Sequence, residues 1–142
     1  MPHSYLEHVN VTVKDIDLSV NFIQAALPDW EIRGEGSMDW FGKKIRWLHI
    51  GTGSSYLALQ DGGEGDGLNW REHQVGTKHI GMVVPSVDSV IQRLSTIGYL
   101  PDHWGAAHPH RKNVYFIVSD NLQFEFIEYL SEQDAERNDY SR

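Results

Sequence analysis

A chain of 142 residues that is 40% hydrophobic, with five Trp, six Tyr and five Phe, has the material for one ordinary domain with a real core. Its formal charge of −8 and the lack of any dense Lys/Arg run argue against nucleic acid or an anionic membrane as partner, and the absence of cysteine removes disulfide and thiolate chemistry. The first residues carry neither the basic nor the apolar region of a signal peptide, and no apolar run approaches membrane-spanning length. A cytoplasmic protein with a small-molecule partner is therefore expected.

In chain order, His8-Val9-Asn10-Val11-Thr12-Val13 alternates with period two, which predicts a strand with its valines on a hydrophobic layer and His8, Asn10 and Thr12 on the other face. Asp15 can cap a helix whose apolar positions Ile16, Val20, Ile23 and Leu27 follow the 3.6 period until Pro28. A short strand at Trp30–Arg33, a Gly-rich turn, a strand at Lys44–Ile50, a turn at Gly51–Ser54 and a strand at Tyr56–Gln60 complete a βαβββ unit.

Residues 61–76 contain five glycines and no sustained period and read as a linker with the length of a flap. A strand at 78–84 follows, then a helix capped by Ser86 with Val87, Val90, Ile91, Leu94 and Ile97 on its inner stripe and Gly98 as its stop. A short strand near Tyr99, a His- and Pro-rich loop over 102–112 and a hairpin pairing Asn113–Val118 with Leu122–Leu130 return the same order. From Ser131 the tail is polar and is expected to fray.

The two halves repeat. Sliding the sequence by 71 positions aligns His8 with His79, Val13 with Val84, Asp17 with Asp88 and Val20 with Ile91 without a gap. The expected organisation is one domain of two modules: module one over 4–60, the linker over 61–76, module two over 77–130 and the tail over 131–142. His8 and His79 occupy equivalent strand positions and point away from the core face. On the last strand Glu125 and Glu128 fall on opposite faces, since their separation is odd. Glu125 sits among aromatic and aliphatic neighbours, where a carboxylate needs a partner or a metal. Two imidazoles and a carboxylate leave coordination positions open, which suits iron(II) chemistry with oxygen or Mn, Ni or Zn as a Lewis acid.

These features resemble the vicinal oxygen chelate superfamily, which includes glyoxalase I, methylmalonyl-CoA epimerase, extradiol dioxygenases, fosfomycin-resistance transferases and bleomycin-binding proteins. The resemblance spans residues 4–130 and implies an α+β fold in which two βαβββ modules form an open cup-shaped mixed sheet with helices outside. It carries metal-ligand roles onto His8, His79 and Glu125. The fourth ligand of glyoxalase-type members matches Ala58, with Gln60 on the same face two residues on as an alternative ligand. A second resemblance, to the extradiol run, rests on His108, Val114-Tyr115 and Glu125, with Ser119-Asp120-Asn121 replacing the usual turn. It implies that Tyr115 hydrogen-bonds a substrate hydroxyl and that His108 or His110 acts as an acid or base.

Trp47, Tyr56 and Phe116 are candidates to line a substrate cup, and Arg111 to contact substrate; the bland alternatives are core packing for the aromatics and an Arg111 or Lys112 ion pair for Glu125. The resulting expectation is a metal-dependent enzyme, Fe2+ favoured, leaning to extradiol-type dioxygenation. Its alternatives are a glyoxalase-like lyase or isomerase, a fosfomycin-type transferase and a metal-free antibiotic-binding protein. A homodimer is expected, as short two-module members usually pair.

Overall fold

The computed structural model describes residues 3–141, and the chain divides into two compact units, one up to Asp66 and one from Gly67 onward. The boundary lies inside the segment read as a linker. In the first unit β1 (His8–Thr12) leads to α1 (Ile16–Ala26), β2 (Glu31–Trp40), β3 (Lys43–Gly51) and β4 (Tyr56–Gln60). The sheet order is β1-β4-β3-β2, with β1 parallel to β4 and the other pairs antiparallel. The second unit repeats the plan with β5 (Ile80–Val83), α2 (Val87–Ser95), β6 (His103–Trp104), β7 (Arg111–Ile117) and β8 (Gln123–Tyr129), in the order β5-β8-β7-β6. Each unit is an α+β βαβββ module.

Register sorts the side chains of each sheet into two faces. In the first unit Val9 pairs with Leu57 and Val11 with Leu59, while Ile50 and Leu48 meet the same two leucines from β3. Leu48, Ile50, Leu57 and Leu59 are buried, as are Ile16, Val20, Phe22 and Ile23 of α1. In the second unit Ile80 and Phe116 flank Phe124, and Met82 and Val114 flank Phe126. Those two phenylalanines and Phe116 are buried, together with Val87, Val90 and Leu94 of α2. Phe116 is therefore core and does not line a cup.

The helices begin where the sequence places their caps. Asp15 accepts from the Leu18 N–H at 3.1 Å, and Ser86 from the Ser89 N–H at 3.1 Å. Glu128 adds a second cap to α2, its Oε1 accepting from the Val87 N–H at 3.0 Å, so a carboxylate faces the positive end of the helix. Gly98, at φ +90°, takes the left-handed turn that stops α2.

Three expectations change. The glycines at 34 and 36 do not form a turn; they lie within β2, which runs ten residues to a hairpin at Phe41-Gly42, both at positive φ. A Cβ on Gly36 would stand 3.0 Å from the Trp47 indole, so the glycine makes room for a cross-strand side chain. The short strand expected near Tyr99 forms at His103–Trp104, where β7 supplies its partner. The tail is not simply frayed: α3 (Asp134–Arg137) is held by Ser131 Oγ donating to Glu136 at 2.7 Å, and Arg137 lies over the Tyr129 ring at 4.1 Å.

The linker is docked at both ends. Asp61 accepts from the Arg46 N–H at 2.8 Å, and Lys43 donates to the Gly62 carbonyl at 2.8 Å. Beyond the boundary Trp70 stacks on His103, and Lys78 donates to the carbonyls of Trp70 and Glu72.

Phe126 is 1% exposed, whereas Phe41 at the hairpin tip is 92% exposed. Phe126→Ala should cost about 3–5 kcal/mol in urea unfolding, and Phe41→Ala no more than about 0.5 kcal/mol.

Candidate metal and substrate site

The chemistry of the second unit gathers on the sheet face that α2 does not cover. Register places Glu125 between Gly81 and Tyr115, and Tyr115 opposite His103. The Glu125 side chain is 15% exposed. Its Oε2 lies 3.1 Å from His79 Nε2, and its Oε1 accepts from Asn113 Nδ2 at 3.0 Å. The Tyr115 hydroxyl donates to Glu125 and accepts from Asn113. Glu125 is thus met by an imidazole, an amide and a phenol; Lys112 pairs with Asp88 at 3.1 Å, and Arg111 donates to the Arg137 carbonyl at 3.4 Å.

Neighbouring residues fix these positions. Any side chain at Gly105 would overlap the Asn113 amide, so the glycine is what lets Asn113 reach Glu125. The His79 ring meets Tyr115 edge-on at 5.3 Å. Burial, and then the Glu125 charge, push the Tyr115 phenol above its ordinary 10.0, so it is a hydroxyl donor at neutral pH.

His103 belongs by composition to a His-rich loop, yet its ring stacks on Tyr115 at 4.2 Å on one side and on Trp70 at 4.5 Å on the other. Its Nδ1 lies 2.6 Å from Asp102 Oδ2, so the carboxylate orients the ring. An Asp-His dipeptide is the available signal in the sequence, but only the β6–β7 pairing brings it beside Tyr115.

His108 and His110 are engaged elsewhere. His108 Nε2 contacts the Asp139 carbonyl at 3.1 Å, and His110 Nε2 lies 3.0 Å from Glu136. Arg111 lies against the same C-terminal segment, 5.9 Å above the Tyr140 ring.

The open face of the first unit has a different character. His8 stacks on Tyr56 at 4.7 Å, Tyr56 on His49 at 4.7 Å, and Trp47 tilts against His49 at 5.1 Å. A register shift between Ile32 and Gly34 makes Arg33 the extra residue of a bulge, and its guanidinium lies 4.1 Å above the Tyr56 ring. His8 Nδ1 is 2.9 Å from Glu7. Ala58 pairs with Asn10 and His49, so it is the counterpart of Glu125. Gln60 is 9% exposed and accepts from Asn10 Nδ2 at 3.3 Å. Burial, and then the charge of Arg33, lower the His49 imidazole below its ordinary range. Among the described residues, no group of three or more His, Asp or Glu side chains is poised to hold a metal ion.

Comparison with solved structures decides the fold family. A glyoxylase/bleomycin resistance protein/dioxygenase domain from Frankia sp. EAN1pec superposes with a TM-score of 0.70 at 25% identity, over 89% of this chain and 98% of that one. The chain has the vicinal oxygen chelate fold. A glyoxalase family protein from Bacillus cereus matches this chain with a TM-score of 0.74 at 13% identity, over 92% and 99% of the two chains. A point mutant of the fosfomycin resistance protein FosX from Listeria monocytogenes, complexed with Mn(II) and 1S,2S-dihydroxypropylphosphonic acid, matches with a TM-score of 0.65 at 21% identity over 99% of each chain. No family model and no curated protein matches the sequence. The neighbours thus include glyoxalase-like proteins and a metal-bound fosfomycin resistance protein, and no helix among the described residues is long and apolar enough to cross a membrane.

Replacing Glu125 by Gln removes the charge that raises Tyr115. With tyrosines labelled at Cζ, the Tyr115 resonance should titrate above 10 in the wild type and closer to it in Glu125→Gln; an unmoved midpoint would show that burial alone sets it.

Proposed function

We propose that this chain is a divalent-metal-dependent enzyme, cytoplasmic and homodimeric, acting on a small molecule that meets the metal through two adjacent oxygens. His79 and Glu125 are ligands from the second module, and His8, equivalent to His79 in the repeat, is the third. The observation that carries the reading is the Glu125 carboxylate: 15% exposed, and met by His79, Asn113 and Tyr115 instead of by the nearby Lys112 or Arg111. A divalent cation would supply the missing countercharge.

The donor set fits such an ion. Two cis ligands each about 2.1 Å from an octahedral metal stand about 3 Å apart, and His79 Nε2 and Glu125 Oε2 are separated by 3.1 Å. A metal bound there supplies Lewis-acid activation of chelated oxygens or, as iron(II), redox chemistry with dioxygen. Tyr115, kept protonated, donates its hydroxyl to the ligand carboxylate and so stands beside the proposed metal site. His103, oriented by Asp102 and held flat between Trp70 and Tyr115, offers Nε2 as a proton acceptor.

Among reactions, extradiol-type dioxygenation fits best, with Tyr115 oriented toward a substrate hydroxyl and His103 taking the base role that the sequence resemblance assigns to His108 or His110. Glyoxalase-type isomerisation is disfavoured by Ala58, which supplies neither a fourth ligand nor a base. A fosfomycin-type addition is the second reading, supported by the likeness to FosX over 99% of both chains.

Protein purified without added metal should carry about one equivalent of Fe, Mn, Ni or Zn by elemental analysis, lost in His79→Ala. Loaded with Fe(II) under air it should open simple catechols, with at least a hundredfold loss in Glu125→Ala. Failure to take up any metal would overturn the reading, and metal uptake with fosfomycin turnover instead of catechol cleavage would select the second.

A further inference from the structure

We propose that the segment joining the two repeats is a docked strap, and that Trp70, which it carries, is the positioning residue for His103. The positioning role rests on the metal-enzyme reading above, whereas the strap rests on the geometry of the second unit alone.

The strand that bears His103 cannot hold its ring alone. β6 is an edge strand of two residues, tied to β7 by the Asp102 N–H donating to the Tyr115 carbonyl at 2.8 Å and the Gly105 N–H to the Asn113 carbonyl at 3.0 Å. A cross-strand neighbour packs one face of a side chain, and for His103 that neighbour is Tyr115, at 4.2 Å with the rings 8° from parallel. No strand lies beyond β6 among the described residues, so the other face of the imidazole would meet water. Trp70 takes that place, 4.5 Å away and 16° from parallel. Tyr115, His103 and Trp70 thus form a row of rings that continues outward from Glu125. Asp102 holds one edge of the imidazole and the two rings stop it tipping, while the side chain keeps 31% of its surface open.

The strap is folded so as to present that indole. Residues 67–78 contain no helix or strand, and 71–78 are all exposed, so contact with the unit is made near the start of the segment. It closes on itself: Lys78 Nζ donates to the carbonyls of Trp70 and Glu72, and the Glu72 N–H donates to the Asn69 carbonyl at 3.0 Å. Leu68 packs within 3.4 Å of where a Cβ on Gly76 would stand. Two contacts dock this loop. Any side chain at Gly67 would overlap the Asp120 carbonyl, and Asn121 Nδ2 donates to the Gly67 carbonyl at 3.0 Å, the segment's one hydrogen bond to the rest of the unit among the described residues. The other contact is Trp70 on His103. A compact loop whose polar attachment is a single hydrogen bond undocks more easily than the strands beside it. When it does, the imidazole loses one of its two walls, so the orientation of His103 depends on a segment outside the sheet.

The probe is the metal-free protein carrying 13C at histidine Cε1 and 5-fluorotryptophan. The His103 signal, identified by its loss in His103→Gln, should lie upfield under the ring currents of its two neighbours and move downfield in Trp70→Ala. Trp70→Phe, which keeps a flat ring, should restore most of the shift. Lys78→Met, which touches neither ring, and Asn121→Ala should each move the Trp70 fluorine and His103 signals together. The His108 and His110 signals, set by the tail, should stay in place in every variant and so report an intact fold. With Fe(II) and a simple catechol, Trp70→Ala should lower kcat about tenfold at unchanged KM, and Trp70→Phe should recover it. An unmoved His103 signal in Trp70→Ala or Lys78→Met would overturn the proposal, as would an effect of Trp70→Phe equal to that of Trp70→Ala, or an unchanged kcat in Trp70→Ala. A wild type that binds no metal or opens no catechol would instead overturn the metal-enzyme reading, and the metal-free signals judge the strap in either case.

Discussion

Everything chemical in this molecule depends on a sheet that is covered by a helix on one side only. Side chains along a strand alternate with period two, so burying Phe124 and Phe126 beneath α2 obliges Glu125 to face the opposite way. The same parity sends Tyr115 and Asn113 out between Val114 and Phe116. The carboxylate is thus held up by the core behind it, and its partners arrive on adjacent strands in fixed register. A slip of one residue would bury the carboxylate and expose the phenylalanines, which makes the register expensive to lose.

The repeat shows how one scaffold carries two kinds of surface. Position for position, Glu125, Tyr115, Asn113 and His103 of the second unit correspond to Ala58, His49, Trp47 and Gly34 of the first. One unit places a carboxylate among hydrogen-bond donors, and the other places an indole on glycines beside a methyl group. The retained element is the histidine at the start of the first strand, His8 or His79. His79 meets Glu125 of the last strand and the edge of Tyr115, whereas His8 meets the adjacent Glu7 and stacks flat on Tyr56. The open faces thus diverge in chemistry, while the buried faces stay apolar in both, with Leu57, Leu59 and Ile50 of the first unit where the second has Phe124, Phe126 and Phe116.

Much of this is legible in the residues alone. The shift of 71 positions, the period-two strands and the Asp15 and Ser86 caps determine the βαβββ order, because each depends on neighbours within a few residues. The opposition of Glu125 and Glu128 follows from parity, and the structure adds that Glu128 caps α2. What escapes a sequence reading depends on partners distant in the chain. Gly34 and Gly36 carry the composition of a turn, and only the Trp47 side chain, reached across a hairpin, explains Gly36 within a strand. Asp102 and His103 look like a solvated pair until β7 brings Tyr115 under the ring. Likewise the polar composition of the tail gives no sign that Glu136 meets His110 or that Arg137 covers Tyr129.

The tail contacts also bear on how the histidines divide their work. Imidazoles titrate near neutrality and can serve either structure or proton transfer, and their partners separate the two. His110 meets a carboxylate of α3 and His108 a carbonyl beyond it, so both help to fasten the C-terminal segment over β7 and β8. His103 meets a carboxylate too, but through Nδ1 alone, with aromatic rings on both faces and Nε2 left over. Such a ring is restrained in orientation without being consumed by its restraint, which is the condition a proton acceptor beside a reacting oxygen must meet. Tyr115 and Glu125 stand opposite each other on paired strands, and β6 brings the His103 imidazole onto the Tyr115 ring.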